Sequence, residues 1–274
     1  MAQNDTPPFD RSRGFKFTQT PNPQWTYGQQ LDATPEGRAW LEGKKDGWKV
    51  VDTEKEDPMK LYALMTSGIV PRPIAFVSTI SEDGVENLSP FSWFNMVRLR
   101  DRPVFVFVFV WLPRARPARV KDTAANIAAT RQFTVNIISE PWVEAANACA
   151  VDAPAEVGEW PLSGLTKAAS LHVKPARVQE SAFSMECELH QTVEIVHPVT
   201  GVNTTTMILG LVKYVHVRND MLTARGTVDP ARLRPVARLG DISYARVGDG
   251  FRLRRPVWAD EAEAIRAAAE GANE

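Results

Sequence analysis

The sequence is poor in cysteine and histidine, has no excess of either charge and has no long apolar run. Its two cysteines, Cys149 and Cys187, are too few and too far apart for a disulfide framework or a Cys-based zinc site. Buried thiols in a reducing compartment are expected instead. The four histidines, His172, His190, His197 and His216, show no His-x-x-x-His spacing, so no metal site is expected. Lys and Arg total 32 against 33 for Asp and Glu, which disfavours a generic nucleic-acid binder or a membrane-surface protein. The longest apolar run, Val104 to Leu112, is about half of the roughly 20 residues that a membrane-spanning helix needs. The start, Met1-Ala-Gln-Asn-Asp-Thr-Pro-Pro, has neither a basic nor an apolar segment of a leader, and a cytoplasmic protein is expected. Also missing are the Gly-x-Ser-x-Gly elbow, the Gly-x-x-x-x-Gly-Lys phosphate loop and a Gly-x-Gly-x-x-Gly after a strand. Hydrolase, P-loop and Rossmann readings lose their main support.

What remains is an ordinary globular composition, 44% hydrophobic and 24% charged over 274 residues. Residues 1–57 are rich in Pro, Gly, Gln and charge but carry Phe17, Trp25, Tyr27, Trp40 and Trp48, so they read as an arm that packs on the main domain. From 58 to 256 the texture is one of short β-branched and aromatic segments between turn residues. A helical tail, 257–274, closes the chain, with a helix expected over Ala259 to Glu270 and stopped at Gly271. Strands are expected at Ile74 to Ile80, from Val85, at Val104 to Trp111, Phe133 to Ile138, Ser184 to Val196, Thr205 to Val217 and Phe251 to Leu253. Val104 to Trp111 is apolar at nearly every position and reads as a central strand covered on both faces. Asp83-Gly84 supplies the turn of a hairpin between the first two. Helices are few; Asp122 or Thr123 is placed to cap one through about Arg131. An all-β dominated antiparallel barrel or sandwich follows.

Two constellations carry candidate chemistry. The hairpin sets Ser78-Thr79 beside Asn87-Leu-Ser-Pro-Phe-Ser-Trp-Phe94, giving neutral hydrogen-bond donors next to large aromatics. That mixture suits a flat ring with an anionic tail, although the same hydroxyls serve equally to close turns and caps. Lys121 and Thr123 open the expected helix, whose N-terminal N–H groups and dipole favour a phosphate, while Asp122 opposes one. Arg114, Arg116 and Arg119 precede them, a local basic bias that suits an anion or a solvated face alike.

Taken in order, Pro71-Arg-Pro-Ile-Ala-Phe-Val-Ser-Thr79, Asp83-Gly84, Asn87 to Phe94, Lys121-Asp-Thr-Ala-Ala-Asn-Ile127, Phe133-Thr-Val-Asn-Ile137 and Gly164-Leu165 strongly resemble the flavin reductase-like family. Val228-Asp-Pro-Ala-Arg-Leu233, Arg238-Leu-Gly240 and Tyr244-Ala-Arg246 extend the resemblance, which covers roughly 60 to 256. It implies a Greek-key split β-barrel that forms a homodimer, with FMN at the barrel edge near the subunit interface; together with the residue reading above, the expected fold is a Greek-key split β-barrel with short helices and an N-terminal arm. Carried over by position, Ser78, Thr79, Asn87, Leu88, Ser89 and Ser92 would line the flavin ring and ribityl chain, and Lys121 and Thr123 would meet the phosphate. Backbone N–H groups from Asn87 to Ser89 would stabilise the reduced ring, and no catalytic side chain is assigned. The implied activity is an FMN-dependent oxidoreductase in which NAD(P)H reduces the bound flavin, which passes electrons to free flavin, oxygen or a small acceptor. One departure weakens the donor: where two-component members carry Gly-Asp-His, this chain reads Gly201-Val-Asn-Thr-Thr-Thr206. The alternatives are a tightly held FMN acting on a small organic substrate and a non-catalytic flavin-binding or electron-carrier protein.

Overall fold

Residues 74–77 read Ile-Ala-Phe-Val, and the two-residue period of an extended chain sends them alternately into two apolar surroundings. Ala75 and Val77 belong to a buried cluster with Val106, Phe133, Val135 and Ile208, whereas Ile74 and Phe76 join Leu88, Ile138, Trp142 and Trp160. A sheet covered on both faces explains the pattern. The computed structural model describes residues 6–12, 14–98, 104–111 and 121–271.

Seven strands make that sheet: β1 Ala75–Ile80, β2 Glu86–Phe91, β3 Phe94–Arg98, β4 Val104–Trp111, β5 Gln132–Ile137, β6 Phe183–Val196 and β7 Asn203–Val217. All neighbours are antiparallel, in the order β2-β1-β5-β6-β7-β4-β3. The two outermost strands, β2 and β3, are consecutive in the chain and joined only by Ser92 and Trp93, and β2 also approaches β4. The sheet is therefore curled into a half-barrel. Register shifts at Leu209/Gly210 and Val212/Tyr214 mark bulges that help the long β6–β7 hairpin bend.

The helices are α1 Pro35–Glu42, α2 Pro58–Gly68, α3 Asp122–Thr130, α4 Val143–Ala148, α5 Trp160–Ser163, α6 Pro230–Leu233 and α7 Trp258–Gly271. Ala124 and Ile127 of α3 enter the inner cluster, and burying an isoleucine such as Ile127 contributes about 2 kcal/mol. Trp142, Ala146 and Trp160, from the α4 and α5 region, cover the other face.

The sheet-dominated, antiparallel architecture agrees with the expectation, with differences in detail. Residues 250–251 pair in parallel with Phe17–Thr18 in a separate ladder, and the barrel sheet instead takes β3 as a member. β4 lies one strand in from the edge rather than at the centre; Val106 and Val108 are buried, but Phe107 between them is only half-buried. Lys121, not Asp122 or Thr123, occupies the N-cap of α3, and Asp122 falls in its first turn. More helices form than expected: α1, for example, starts at a Thr34 cap whose hydroxyl accepts the Gly37 N–H at 3.0 Å, with Pro35 in the first turn. Helix α7 begins one residue before the expected span and includes Gly271. Both cysteines are free and buried, as expected.

Chain contacts define two compact units, residues 1–62 with 248–274, and residues 63–247. In the first, Phe17–Thr18 pairs with 250–251 and Tyr27 donates to Glu261. The second holds the barrel and the candidate site. Among the described residues no helix is long and apolar enough to cross a membrane.

Candidate functional site

The β1–β2 hairpin turns on residues 81–84. Gly84 adopts φ +86°, Ser81 accepts the Gly84 N–H at 3.1 Å through its carbonyl, and its hydroxyl accepts the Val85 N–H at 2.9 Å. This turn sets Thr79 opposite Asn87, Ser78 opposite Leu88 and Val77 opposite Ser89. Pairing of opposite residues on one face then sorts the expected site. Thr79, Asn87 and Ser89 share the face of Val77, which belongs to the inner cluster that α3 enters. Ser78 and Leu88 share the other face, where Leu88 is fully buried among Phe76 and Trp160.

On the α3 side the residues meet directly. Thr123 donates its hydroxyl proton to Asn87 Oδ1 at 2.8 Å, and Asn126 Nδ2 donates to Thr79 Oγ1 at 3.0 Å. Thr79 Oγ1 in turn approaches Asn87 Oδ1 at 3.4 Å. Lys121 stands two residues before Thr123, half-buried, with its carbonyl accepting the N–H groups of Ala124 and Ala125 and its side chain making no cap bond. The hairpin and the helix start are thus brought together as the sequence suggested. Ser92 lies in the link to β3, where its hydroxyl accepts from Arg72 Nε at 3.5 Å. Arg72 is itself buried and spans Thr66, Ile69 and Leu239 carbonyls.

The structure adds a member that the sequence did not reveal. Glu159, 4% exposed, directs one carboxylate oxygen, Oε2, at both the Asn87 side-chain amide (2.8 Å) and the Leu88 backbone N–H (2.9 Å). Gly158 makes this approach possible, since a Cβ there would lie 2.3 Å from the Glu86 carbonyl oxygen. Burial pushes the Glu159 carboxyl above the usual carboxylate range, with the Asp122 charge adding to the rise and the Leu88 and Asn87 bonds opposing it. No motif flags a glutamate in a Pro- and Gly-containing loop, so the sequence carries no sign of Glu159.

These bonds alter what each residue can offer a ligand. The Thr123 hydroxyl proton is committed to Asn87, so an anion at the helix start would meet the Thr123 backbone N–H rather than its side chain. The Leu88 N–H is committed to Glu159. Ser78 is 1% exposed, and its hydroxyl has no partner. Arg114, Arg116 and Arg119 lie outside the described residues. The remaining chemistry is that of neutral hydroxyls, backbone groups and one lysine, which suits orientation of a polar ring and its anionic tail. Among the described residues no group of three or more His, Cys, Asp or Glu is placed to hold a metal ion.

Residues 66–232 match the model of the flavin reductase like domain, more than half of the chain. The chain belongs to the flavin reductase-like family, and its fold is that of split-barrel flavin reductases. At this level it is a flavin-related oxidoreductase. It is 35% identical over 201 residues to an uncharacterized protein of Aquifex aeolicus, covering 73% of this chain and 97% of that one. Among solved structures it is similar to nitrilotriacetate monooxygenase component B from Bacillus cereus, with TM-score 0.70, 29% identity, and 76% and 99% of the two chains covered. It is also similar to the Pseudomonas fluorescens 2-nitrobenzoate 2-nitroreductase NbaA, with TM-score 0.64, 25% identity, and 77% and 98% covered.

Proposed function

We propose that the protein binds FMN between the β1–β2 hairpin and the start of α3 and works as an NAD(P)H-dependent flavin oxidoreductase. The observation that carries this reading is the Thr123–Asn87 bond, which joins the two sequence segments that the family resemblance assigns to one flavin. The donor chemistry fits the group. Ser92 accepts from Arg72 and so keeps its own proton to donate, and Lys121, whose ammonium only donates, stands at the N-cap position of α3. In this reading Lys121 and the Thr123 N–H hold the phosphate, Ser89 and Ser92 orient the ring and ribityl chain, and the Asn87–Thr79–Asn126 network keeps their backbone rigid. Bound flavin would supply hydride and single-electron chemistry, and the protein need contribute no nucleophile. Its task is to bind, orient and exclude water. The acceptor would be free flavin, oxygen or a small molecule; the similar Bacillus cereus protein is named as component B of a monooxygenase.

A second reading keeps FMN tightly bound and directs it at a small organic substrate. It is favoured by the β6–β7 connection, where the turn is closed by His197 accepting from Val199 and Thr200 and no histidine follows Gly201 before Thr206. We also propose a homodimer, for which the exposed Met96 and Val97 on edge strand β3 supply an apolar contact.

An absorbance spectrum followed by anaerobic NADH and NADPH titration tests both cofactor and donor. Flavin bands bleached by either nucleotide are expected. Flavin bands without bleaching favour the second reading, and no flavin uptake on addition of FMN rejects both. Sedimentation velocity at micromolar protein tests the dimer, and a species of a single 30.5 kDa chain would reject it.

A further inference from the structure

A buried carboxylate is expensive, and Glu159 sits within reach of the Asp122 charge, so its retention at 4% exposure calls for a use. Its geometry supplies one. A carboxylate only accepts hydrogen bonds, so it forces the Asn87 amide nitrogen towards itself and leaves Oδ1 to face Thr123. The same oxygen takes the next backbone N–H, that of Leu88, and so fixes both the side chain and the main chain of β2 at the level where the strand meets α3. The segment immediately after Leu88 contains Ser89 and Ser92.

We propose that Glu159 is a positioning residue for flavin binding: through Asn87 and Leu88 it sets the height and orientation of the β2 segment that faces the ligand, without touching the ligand itself. This rests on the flavin reading above. The rest of the Glu159 surroundings support a local clamp rather than a general packing role. The Glu159 carbonyl caps the following turn by accepting from Leu162 and Ser163, and the Cys149 thiol lies 3.8 Å from it, so the backbone of this loop is secured independently of the carboxylate. Ser163 adds its own bonds, donating to the Trp160 carbonyl at 2.7 Å and accepting the Leu165 N–H at 3.0 Å.

The test compares Glu159→Ala, Glu159→Gln and Ser163→Ala with the full-length parent, reading FMN affinity by fluorescence quenching and amide hydrogen exchange of peptides spanning 86–92. Glu159→Ala should weaken FMN binding about 10- to 100-fold and speed exchange in that segment, since it removes one acceptor from two buried donors. Glu159→Gln keeps an oxygen at the accepting position and should restore affinity to within about 3-fold of the parent, while Ser163→Ala, which loosens the same loop without touching Asn87, should leave affinity unchanged. In a cycle with Asn87→Ala, the double variant should lose less than the sum of the two single losses, because the Asn87 bond is already gone and only the Leu88 bond remains for Glu159→Ala to remove. Losses that are equal in Glu159→Ala and Ser163→Ala, or that add in the cycle, would assign Glu159 to stability alone and overturn the proposal. A parent protein that takes up no FMN defeats the flavin reading itself, and the positioning role falls with it.

Discussion

Glu186 offers a stringent test of how the barrel wall is held. Its side chain is fully buried on β6, with Oε1 accepting the Leu171 N–H at 2.8 Å and facing His216 Nε2 at 2.6 Å, and Oε2 accepting the His172 and Val173 N–H groups at 2.7 and 3.1 Å. One carboxylate thus anchors the whole 171–173 loop to the sheet. Glu186→Gln replaces one oxygen by an NH2 group. The least costly placement puts that group towards His216, whose ring nitrogen can accept, and leaves the Leu171 N–H facing another donor. An orphaned buried N–H costs about 1–3 kcal/mol, and the remaining bonds lose their charge assistance, for a total of about 2–4 kcal/mol. Glu186→Ala, which orphans all three N–H groups, should cost about 3–5 kcal/mol or more. Urea unfolding at pH 7 measures both, provided that the slope stays constant. The pH dependence adds a sign. Burial alone would raise this carboxyl, but the bonds from Leu171, His216, His172 and Val173 outweigh it and hold the group below its ordinary value. A carboxyl depressed in the folded state stabilises fully above its unfolded pKa, and that contribution disappears as pH falls through the lower folded value. The parent should therefore lose stability in the range below about pH 4.5, and Glu186→Gln should lose less. A Gln variant within 0.5 kcal/mol of the parent at pH 7 would refute the anchoring argument.

Three further outcomes are expected. Lys121→Ala should raise the FMN dissociation constant about 10- to 100-fold while leaving riboflavin binding unchanged; an equal loss for both ligands would remove the lysine from the phosphate. Gly210→Ala would place a methyl 2.3 Å from Phe133 Cζ, a fully buried ring, and should destabilise by about 1–3 kcal/mol in chemical denaturation, with a neutral result showing that the Phe133 ring yields freely. Burial pushes the Cys149 thiol up to about 12, with the Glu159 charge adding to it, and burial likewise raises Cys187. Aromatic disulfide reagents at pH 8 should therefore label neither cysteine in the folded protein and both after denaturation; rapid native labelling would contradict the burial.

The strands were legible where alternation was strong and turn chemistry bracketed it. Asp83-Gly84 placed the hairpin but not its register: a two-residue turn there would pair Thr79 with Leu88, whereas the observed loop of residues 82–84, closed between Ser81 and Val85 with Gly84 at φ +86°, pairs it with Asn87. β3 was illegible because Asn95 and Arg98 interrupt its apolar pattern and only its place beside β4 makes it a strand. The helix start at Lys121 was found, but its cap was misplaced by one or two residues, since Asp122 and Thr123 are both better caps by type and Thr123 is drawn inward to Asn87. The two-residue period of β2 and β1 turns the Ser78 and Leu88 side chains to the face opposite Asn87. Glu159 lies 72 positions from Asn87, and a contact at that separation leaves no periodic trace in a single sequence.

The link between β2 and β3 has a mechanical meaning. Two intervening residues span at most about 11 Å, so the first and last strands of the seven-membered order are tied together by covalent reach, whether or not they share a ladder. A circular permutant opened between Ser92 and Trp93 would keep every hydrogen-bonded neighbour of the sheet yet release the tether that makes it curl. A permutant opened at the 81–84 turn would leave the tether intact. Of the two cuts, the first strikes at curvature, and the seam that Ser92 occupies would widen with it.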